Sequence, residues 1–243
     1  MFRNMCYHTS LARSADYLEK RFQAKFEQGT LFEPIYHHSG FSAPLHPVIA
    51  NESLQSIRFF QWGLVPFWTK DESAAERIRT QTLNAKAETI HQKPSFRASI
   101  MTKRCLVLVD GFYEWREEGS RKYPYYITLT NNDAFALAGI WDRWETNRTG
   151  EVKESFAIIT TRANPLLERI HNTRKRMPVI LKQEDETKWL EKDLDRTAID
   201  SLLEPYDASQ MQAHTVSRLI STKRANTNVP EVMKEYKYEG LDP

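Results

Sequence analysis

Residues 105–116 read CLVLVDGFYEWR, and this stretch decides the fold class. The first five of them, Cys105–Val109, form a continuous apolar run that is typical of a strand buried on both faces. After Asp110 and Gly111, the segment from Phe112 to Arg116 has the pattern of a second strand. The centre of the chain is therefore predicted to be rich in β-structure.

Further segments on either side of this stretch also have the pattern of strands and are separated by short polar turns. They cover residues 57–62, 125–130, 135–140 and 155–161. Consecutive strands joined by such turns predict an antiparallel meander. The segment 31–47, which contains three prolines, is predicted to be a loop.

Apolar residues at helical spacing are found on both sides of the β-rich centre. A helix over 14–28 that ends at Gly29 is predicted from the spacing of Tyr17, Leu18, Phe22 and Phe26. Further helices are predicted over 164–171, 184–192 and 197–203. Strands grouped between helices, without alternating βαβ units, predict the α+β fold class.

The composition is that of an ordinary globular protein, with 243 residues of which 40% are hydrophobic. The net charge of +2, from 34 basic and 32 acidic side chains, neither requires nor excludes a nucleic-acid partner. No apolar stretch reaches the about 20 residues that cross a bilayer, and residues 1–10 lack the apolar core of a secretory signal. With two cysteines, Cys6 and Cys105, we predict a cytoplasmic, monomeric protein with reduced thiols and no membrane partner.

Several common sites are excluded by their missing motifs. The seven histidines form no H-E-x-x-H pattern and the cysteines form no Cys-x-x-Cys pair, so we predict no metal site. A P-loop and a dinucleotide fingerprint are absent, and no cofactor is predicted. No G-x-S-x-G elbow is present.

Met5-Cys6 is the first candidate for chemistry. If the chain starts at Met5 and loses it, or if residues 1–5 are removed, Cys6 carries both the α-amine and the thiol. Ordinary pKa values of about 7.7–8.0 for the amine and about 8.5 for the thiol leave part of each group nucleophilic near neutral pH. An aldehyde can form an imine with this amine, and the thiol can then close a thiazolidine ring. The alternative is that Cys6 is a small apolar residue of a first strand.

Three further residues carry groups suited to catalysis. Asn84, within NAKAE at 84–88, can orient a nucleophile or ligand through its amide, or can serve as a turn or helix cap. Glu114 alternates with Tyr113 and Trp115, and sharing a face with an aromatic ring would desolvate it and raise its pKa; the alternative is an exposed carboxylate. His171, at the end of a predicted helix, is suited to proton transfer or simply caps the helix.

Basic and aromatic residues are interleaved along the chain in a way that suits single-stranded nucleic acid. Cations could follow the phosphates while aromatic rings stack on unpaired bases; the alternative is solvated charges around an ordinary aromatic core. The basic clusters are Arg77/Arg79/Lys86, Lys93/Arg97, Lys103/Arg104, Arg174–Arg176 and Lys223/Arg224, and the aromatics include Trp62, Phe67, Trp68, Phe96 and Trp115.

The chain resembles the SRAP family (SOS response-associated peptidase) through a set of segments in the family's order. They are Met5-Cys6, WGLVP at 62–66, NAKAE at 84–88, GFYEW at 111–115, FALAGIW at 135–141, AIITTRAN at 157–164, 171–178 and HTVS at 214–217. This resemblance implies a single domain over residues 1–243, with a barrel-like antiparallel sheet flanked by helices. It also implies one active site in a positively charged groove.

The resemblance further implies covalent capture of abasic sites in single-stranded DNA, through a thiazolidine formed by the N-terminal cysteine. By this resemblance Cys6 is the nucleophile and Asn84 holds the cysteine and the sugar phosphate. Glu114 would shuttle protons, and His171 would assist opening of the deoxyribose ring and departure of water. The implied DNA contacts are His8, Trp68, Lys86, Arg97, Trp115, Thr160 and Arg174.

This sequence departs from the family's pattern near the nucleophile. Tyr7 and His8 stand where the family has Gly and a phosphate-binding Arg, and Lys86 stands where it has an Arg with bidentate geometry. Residues 1–5 would block the amine of Cys6 if they were retained. We expect them to be a misassigned start or a leader that the Cys6 thiol removes.

Two other classes of protein remain open at this stage. An N-terminal-nucleophile amidohydrolase, or a thiol peptidase, would use a processed cysteine on an amide. A non-catalytic single-strand-binding module would keep its function when Cys6 is replaced by alanine.

Overall fold

The computed structural model describes residues 7–27, 31–146, 148–222 and 225–241. Within these ranges the chain forms thirteen strands and six α-helices. The strands are β1 (His8–Leu11), β2 (Lys25–Phe26), β3 (Ile35–Ser39), β4 (Leu45–Ala50), β5 (Ser56–Trp62), β6 (Asn84–Lys86), β7 (Arg104–Val109), β8 (Gly111–Glu118), β9 (Arg121–Leu129), β10 (Phe135–Glu145), β11 (Val152–Arg162), β12 (Arg176–Pro178) and β13 (Met211–Thr215). The helices are α1 (Ala15–Phe22), α2 (Glu72–Arg79), α3 (Ser99–Thr102), α4 (Pro165–Ile170), α5 (Gln183–Trp189) and α6 (Arg196–Ser201).

Five strands close into a barrel in the order β11-β10-β7-β4-β5, with β5 pairing back onto β11. Neighbours are antiparallel except at β5–β11, where Gln61 pairs with Ser155 and Trp62 with Phe156 in parallel. A ring of five strands cannot alternate direction at every pair, so one pair must be parallel. The predicted barrel-like sheet flanked by helices is confirmed, and β5–β11 is the pair that closes it.

A second, open sheet has the strand order β13-β9-β8-β1-β3 and is antiparallel throughout. The chain passes from the barrel to this sheet between β7 and β8, at Asp110. The carboxylate of Asp110 accepts hydrogen bonds from the Ser10 hydroxyl and the Ala12 N–H, both at 2.6 Å. The prediction of one meander is therefore wrong, because Asp110 turns the chain towards β1 instead of letting β8 pair with β7.

The barrel strand β7 contributes to two apolar clusters on its opposite faces. Cys105, Val107 and Val109 pack with residues of the open sheet, whereas Leu106 and Leu108 pack with residues of the helices, including Trp189. Successive side chains of a strand point to opposite faces. Because both faces are covered, the strand is apolar from Cys105 to Val109, as its sequence predicts.

Two predictions of local structure are wrong near the N-terminus. The helix predicted over 14–28 ends at Phe22, where Gln23 takes a left-handed conformation with φ of 51°, and Phe26 then pairs with Ile57 as part of β2. The predicted loop over 31–47 contains β3 and the first half of β4. Pro47 is tolerated in β4 because it pairs with Phe59 of β5 at a point where the β7 pairing has not yet begun.

None of the helices in the described ranges combines the length and apolar character that a membrane crossing requires.

Candidate active site

A cavity of about 240 Å³ lies where β1 and β8 of the open sheet meet the end of α4. Two of the predicted catalytic residues, Glu114 and His171, line it together. Its other lining residues are Tyr7, His8, Phe41, Trp115, Glu117, Lys122 and Thr173. This is the place where the described part of the chain concentrates its candidate chemistry.

Glu114 is buried, with 3% of its surface exposed. It lies on β8 opposite Tyr125 of β9. Its neighbours Tyr113 and Trp115 pack in one apolar cluster, whereas Phe112 packs in the cluster between the barrel and the open sheet. The predicted alternation is confirmed, and it turns Glu114 away from the face that Tyr113 occupies.

His171 terminates α4, as the sequence predicts, and is 2% exposed. The helix is started by Asn164, whose side chain accepts a hydrogen bond from Leu167 N–H at 3.0 Å. The Nδ1 atom of His171 lies 2.9 Å from the carbonyl oxygen of Arg176. A carbonyl only accepts hydrogen bonds, so Nδ1 carries a hydrogen and the neutral ring has its lone pair on Nε2.

The buried carboxylate and imidazole lie close to each other. Glu114 Oε1 is 3.8 Å from His171 Nδ1, and no hydrogen-bond partner for His171 Nε2 lies among the described residues. Such a pair can exchange protons with a molecule in the cavity, because one group is a carboxylate and the other has a basic nitrogen.

The loop that follows His171 is tied to β8 by Asn172. Its amide Oδ1 accepts from Glu117 N–H at 3.1 Å and its Nδ2 donates to Glu117 O at 2.8 Å. Across the hairpin, Glu117 forms an ion pair with Lys122 at 2.7 Å. These contacts hold the strand that carries Glu114 against the loop that carries His171.

Asn84 is buried on β6, where it pairs with Ile158 of β11, and it is not among the described residues that line the cavity. Thr160, further along β11, is fully buried, and its carbonyl accepts a hydrogen bond from Arg176 at 2.6 Å. Arg176 also pairs with Glu88. The prediction that Thr160 contacts DNA is not supported, because its side chain is inside the fold and its backbone holds Arg176.

His8 is half-buried, and its Nδ1 lies 2.8 Å from Nε2 of His37. Its ring also meets Trp115 edge-on, with centroids 4.7 Å apart. Burial, together with repulsion from His37, lowers the pKa of His8 to about 3. The ring is therefore neutral near pH 7, and DNA contact by His8 stays a prediction.

The other predicted DNA contacts are accessible. Trp68 is 47% exposed and Trp115 lines the cavity, with its Nε1 donating to the Ser221 hydroxyl at 3.2 Å. The three remaining cations of the prediction, Lys86, Arg97 and Arg174, are exposed. They stay predictions of DNA contact.

The predicted nucleophile Cys6 lies outside the described residues, as do Met1–Met5, Gly29 and the basic pair Lys223/Arg224. The other cysteine, Cys105, is fully buried, and burial raises the pKa of its thiol. A buried thiol of this kind is a poor nucleophile. Within the described ranges, no three His, Cys, Asp or Glu side chains are grouped so as to hold a metal ion.

Sequence reasoning missed several residues that shape the site. Tyr7 and Phe41 pack at the cavity with tilted rings whose centroids are 4.7 Å apart. His37 and Asn172 act through partners distant in sequence, whereas Lys122 pairs with Glu117 across the hairpin. Of these residues, only Lys122 could have been found from the sequence. A polar turn between two strands predicts that the residues on either side of it are paired, here Glu117 and Lys122.

Comparison with known proteins places this architecture in a family. The model of the family described as SOS response associated peptidase (SRAP) matches residues 5–223. The abasic site processing protein YoqW of Bacillus subtilis is 39% identical over 206 residues, which cover 83% of this chain and 88% of that protein. The abasic site processing protein HMCES of Xenopus tropicalis is 32% identical, over 76% of this chain and 58% of its own length. A crystal structure of a Bacteroides thetaiotaomicron protein superposes with a TM-score of 0.89 at 40% identity, covering 96% of this chain and 100% of that one.

Proposed function

Because the chain belongs to the SRAP family, we propose that it processes abasic sites in single-stranded DNA by capturing them covalently on Cys6. Relatives that are abasic site processing proteins support the substrate. The observation that carries the proposal is the buried Glu114 carboxylate 3.8 Å from Nδ1 of His171, in a cavity that is also lined by Tyr7, the neighbour of Cys6. The burial of Cys105 leaves Cys6 as the thiol suited to attack.

The chemistry joins the ring-opened aldehyde of the abasic site to the amine and the thiol of Cys6. The amine adds to C1′ and forms a carbinolamine, which loses its hydroxyl as water and becomes an iminium ion. The thiol gives up its proton and its sulfur attacks the same carbon, closing a thiazolidine. One water is released overall, and each step requires a proton to move at a defined atom.

The two buried side chains suit these proton transfers. Glu114 takes a proton from the attacking amine and returns it to the carbinolamine oxygen, because its buried carboxylate lines the cavity where these atoms react. His171 offers Nε2 to the sugar during ring opening and assists departure of water, while its Nδ1–H stays bonded to the Arg176 carbonyl. Asn84 holds Cys6 and the sugar phosphate through its amide.

DNA would reach the cavity along exposed cations and aromatic rings. Lys86, Arg97 and Arg174 would contact phosphates, and Trp68 and Trp115 would stack on bases beside the lesion. Bases are available for such stacking in single strands, so we propose single-stranded DNA in the cytoplasm as the substrate.

The mechanism requires a free α-amine on Cys6, so we propose that residues 1–5 are absent from the mature protein. Either translation starts at Met5 and this methionine is removed, or the Cys6 thiol cleaves the preceding peptide bond. Intact mass measurement of the full chain and of Cys6→Ala separates the two routes, because only self-cleavage leaves the leader on the alanine variant. Wild-type protein with Met1 retained would contradict the capture mechanism.

A denaturing gel tests the proposed function directly. Protein with a verified N-terminal Cys6 is mixed with single-stranded DNA carrying one abasic site, beside Cys6→Ala, Glu114→Gln and Cys105→Ala. We expect a heat-stable shifted band from wild type, its loss in Cys6→Ala, slow appearance in Glu114→Gln and no change in Cys105→Ala. No band from wild type would overturn the proposal and direct attention to amide substrates.

A further inference from the structure

A chain of three side chains leads from the cavity to the C-terminal segment. His8 lines the cavity, and its Nδ1 lies 2.8 Å from His37 Nε2. The other ring nitrogen of His37, Nδ1, lies 2.7 Å from the hydroxyl oxygen of Thr227. Both nitrogens of His37 are thus used in one continuous line of hydrogen bonds.

The outer end of this line is held in place and is close to water. Asn228 accepts hydrogen bonds from the Tyr36 and His37 backbone N–H groups at 2.7 and 3.1 Å, which fixes the segment against the edge strand β3. Thr227 is half-buried between the exposed residues Asn226 and Asn228. Thr227 is therefore partly exposed to solvent, whereas His37 is only 8% exposed.

We propose that Thr227, His37 and His8 form a proton relay between solvent and the cavity. The inference rests on the proposed function, for which the relay serves the departure of water and the closing of the thiazolidine. Thr227 and His37 act through His8, and His8 exchanges the proton with the reacting groups.

The relay works by changing the tautomer of each ring. In one state the Thr227 hydroxyl donates to His37 Nδ1, His37 Nε2–H donates to His8 Nδ1, and His8 carries its hydrogen on Nε2. The Nε2 proton of His8 then passes to the departing hydroxyl, a proton passes from His37 to His8, and a proton passes from Thr227 to His37. The Thr227 hydroxyl takes a new proton from water. Both rings then carry their hydrogen on Nδ1, and neither ring nor the threonine has gained a charge.

The reverse passage restores the relay. When the Cys6 thiol attacks, His8 Nε2 accepts its proton, and the same line of bonds passes a proton outwards to water at Thr227. One proton enters for the loss of the hydroxyl and one leaves for the ring closure, so the full reaction is balanced. Burial favours this route, since it lowers the pKa of His37 to about 4 and disfavours a charged intermediate.

Removing the Thr227 hydroxyl tests the relay. Thr227→Val keeps the shape of the side chain but cannot pass a proton, and we expect the rate of adduct formation to fall by about 10²-fold, the lower end of what proton-transfer groups contribute. Thr227→Ser should restore the rate because it restores the hydroxyl. Thr222→Val, in the same region and outside the line of bonds, is the matched control. His37→Gln keeps a donor and an acceptor but cannot change tautomer, so it should be as slow as Thr227→Val.

A second measurement is independent of DNA. The imidazole ¹⁵N shifts of His8 and His37 report which nitrogen of each ring carries the hydrogen, and they should change in Thr227→Val and return in Thr227→Ser. Unchanged shifts, or an unchanged adduct rate in Thr227→Val, would overturn the relay. If wild type forms no adduct at all, the proposed function fails, and the ¹⁵N shifts still decide whether the three side chains act as one line.

Discussion

The two ring nitrogens of His171 have different roles, one in positioning the ring and one in proton transfer. Nδ1–H holds the Arg176 carbonyl at 2.9 Å, and Nε2 has no partner among the described residues. An asparagine amide at this position approximates Nδ1 and keeps the first contact, but it offers no basic nitrogen. The roles of positioning and of proton transfer can therefore be separated by one substitution.

For His171→Asn we expect normal stability and an adduct-formation rate lower by about 10²-fold, the usual contribution of a general acid or base. The rate is read from gel band intensity against time, with thermal unfolding as the control for folding. A normal rate in His171→Asn would show that His171 only shapes the loop.

Gly111 is needed at the corner where the chain changes sheets. A Cβ at this position would lie 2.3 Å from the Tyr126 ring, and that ring is packed and bonded to Ser10 at 2.9 Å. Gly119 sits in the hairpin turn with φ of 59°, and a Cβ there meets nothing within 4 Å. Glycine is thus required at 111 because a neighbouring ring lies too close for a Cβ, and it is favoured at 119 because the backbone is left-handed.

We predict that Gly111→Ala lowers the free energy of unfolding by about 3 kcal/mol or more, because a buried ring must move. Gly119→Ala should cost only about 1 kcal/mol, the price of a left-handed residue with a Cβ. Urea unfolding of both variants measures the difference. Equal losses in the two variants would contradict the steric explanation.

Some residue-level features followed from sequence and others did not. The face of β8 on which Glu114 lies follows from strand alternation, which is a local property, whereas the burial of Glu114 depends on tertiary packing. The neutral state of His8 depends on burial and, to a lesser extent, on His37, which is 29 positions away and is brought close by the β1–β3 pairing. No local pattern reports such a partner.

Among the elements, α4 carries the site's imidazole at its end, so its start controls the position of His171. Asn164 accepts from Leu167 N–H and donates from Nδ2 to Tyr206 O at 2.8 Å. Asp71 caps α2 in the same way through Ala74 N–H at 2.8 Å, but α2 carries none of the residues that line the cavity. The two caps form a matched pair.

Asn164→Ala should lower stability by about 2 kcal/mol, from loss of the cap and of a buried hydrogen bond, and should also slow adduct formation. Asp71→Ala should lower stability by about 1 kcal/mol and leave the rate unchanged. Chemical unfolding and the gel assay, run on both variants, provide the two readouts. An adduct rate that falls equally in both would mean that stability alone sets the rate.

Over the whole molecule, buried histidines couple stability to pH. Burial lowers the pKa of four of them from 6.5 to about 3 for His8 and His46 and to about 4 for His37 and His38. The unfolded chain binds protons at these histidines near pH 6.5, whereas the folded chain does not until near pH 4. Between these values the unfolded state holds more protons, so stability falls as the pH falls.

We therefore expect the free energy of unfolding to be steady above pH 7 and to drop between pH 6.5 and 4.5. His46, fully buried with its Nε2 donating to Leu108 O at 2.8 Å, contributes on the order of 2 kcal/mol of this drop at pH 5. Burial raises the pKa values of Asp110 and Glu186, and these two groups act in the opposite direction. Urea unfolding of wild type and His46→Gln from pH 7.5 to 5 tests this, and parallel curves would contradict it.

A second prediction at this scale concerns DNA binding. The net charge of +2 is too small to attract DNA by itself, so binding must depend on local clusters of cations. Replacing Lys86, Arg97 and Arg174 together by alanine should lower the salt slope of single-strand affinity by about 2, at about 0.7 per phosphate contact. Trp68→Ala should cost about 1–3 kcal/mol of binding at an unchanged slope. Fluorescence anisotropy measures both, with Lys192→Ala as an exposed control. An unchanged slope in the triple variant would remove these cations from the DNA path.

By itself, the sequence determined the strands from β7 to β11, the end of α4 at His171, and the candidates Glu114 and Asn84, because local periodicity and short motifs report them. Only the tertiary structure decided that β5 closes the barrel on β11, that Asp110 sends β8 to a second sheet, and that Glu114 and His171 come within 3.8 Å. It also decided that His8 is neutral and that Thr160 is inside the fold. The physical reason is that strand partners are chosen by contacts between residues far apart in the chain, and each choice brings together side chains that local pattern cannot relate.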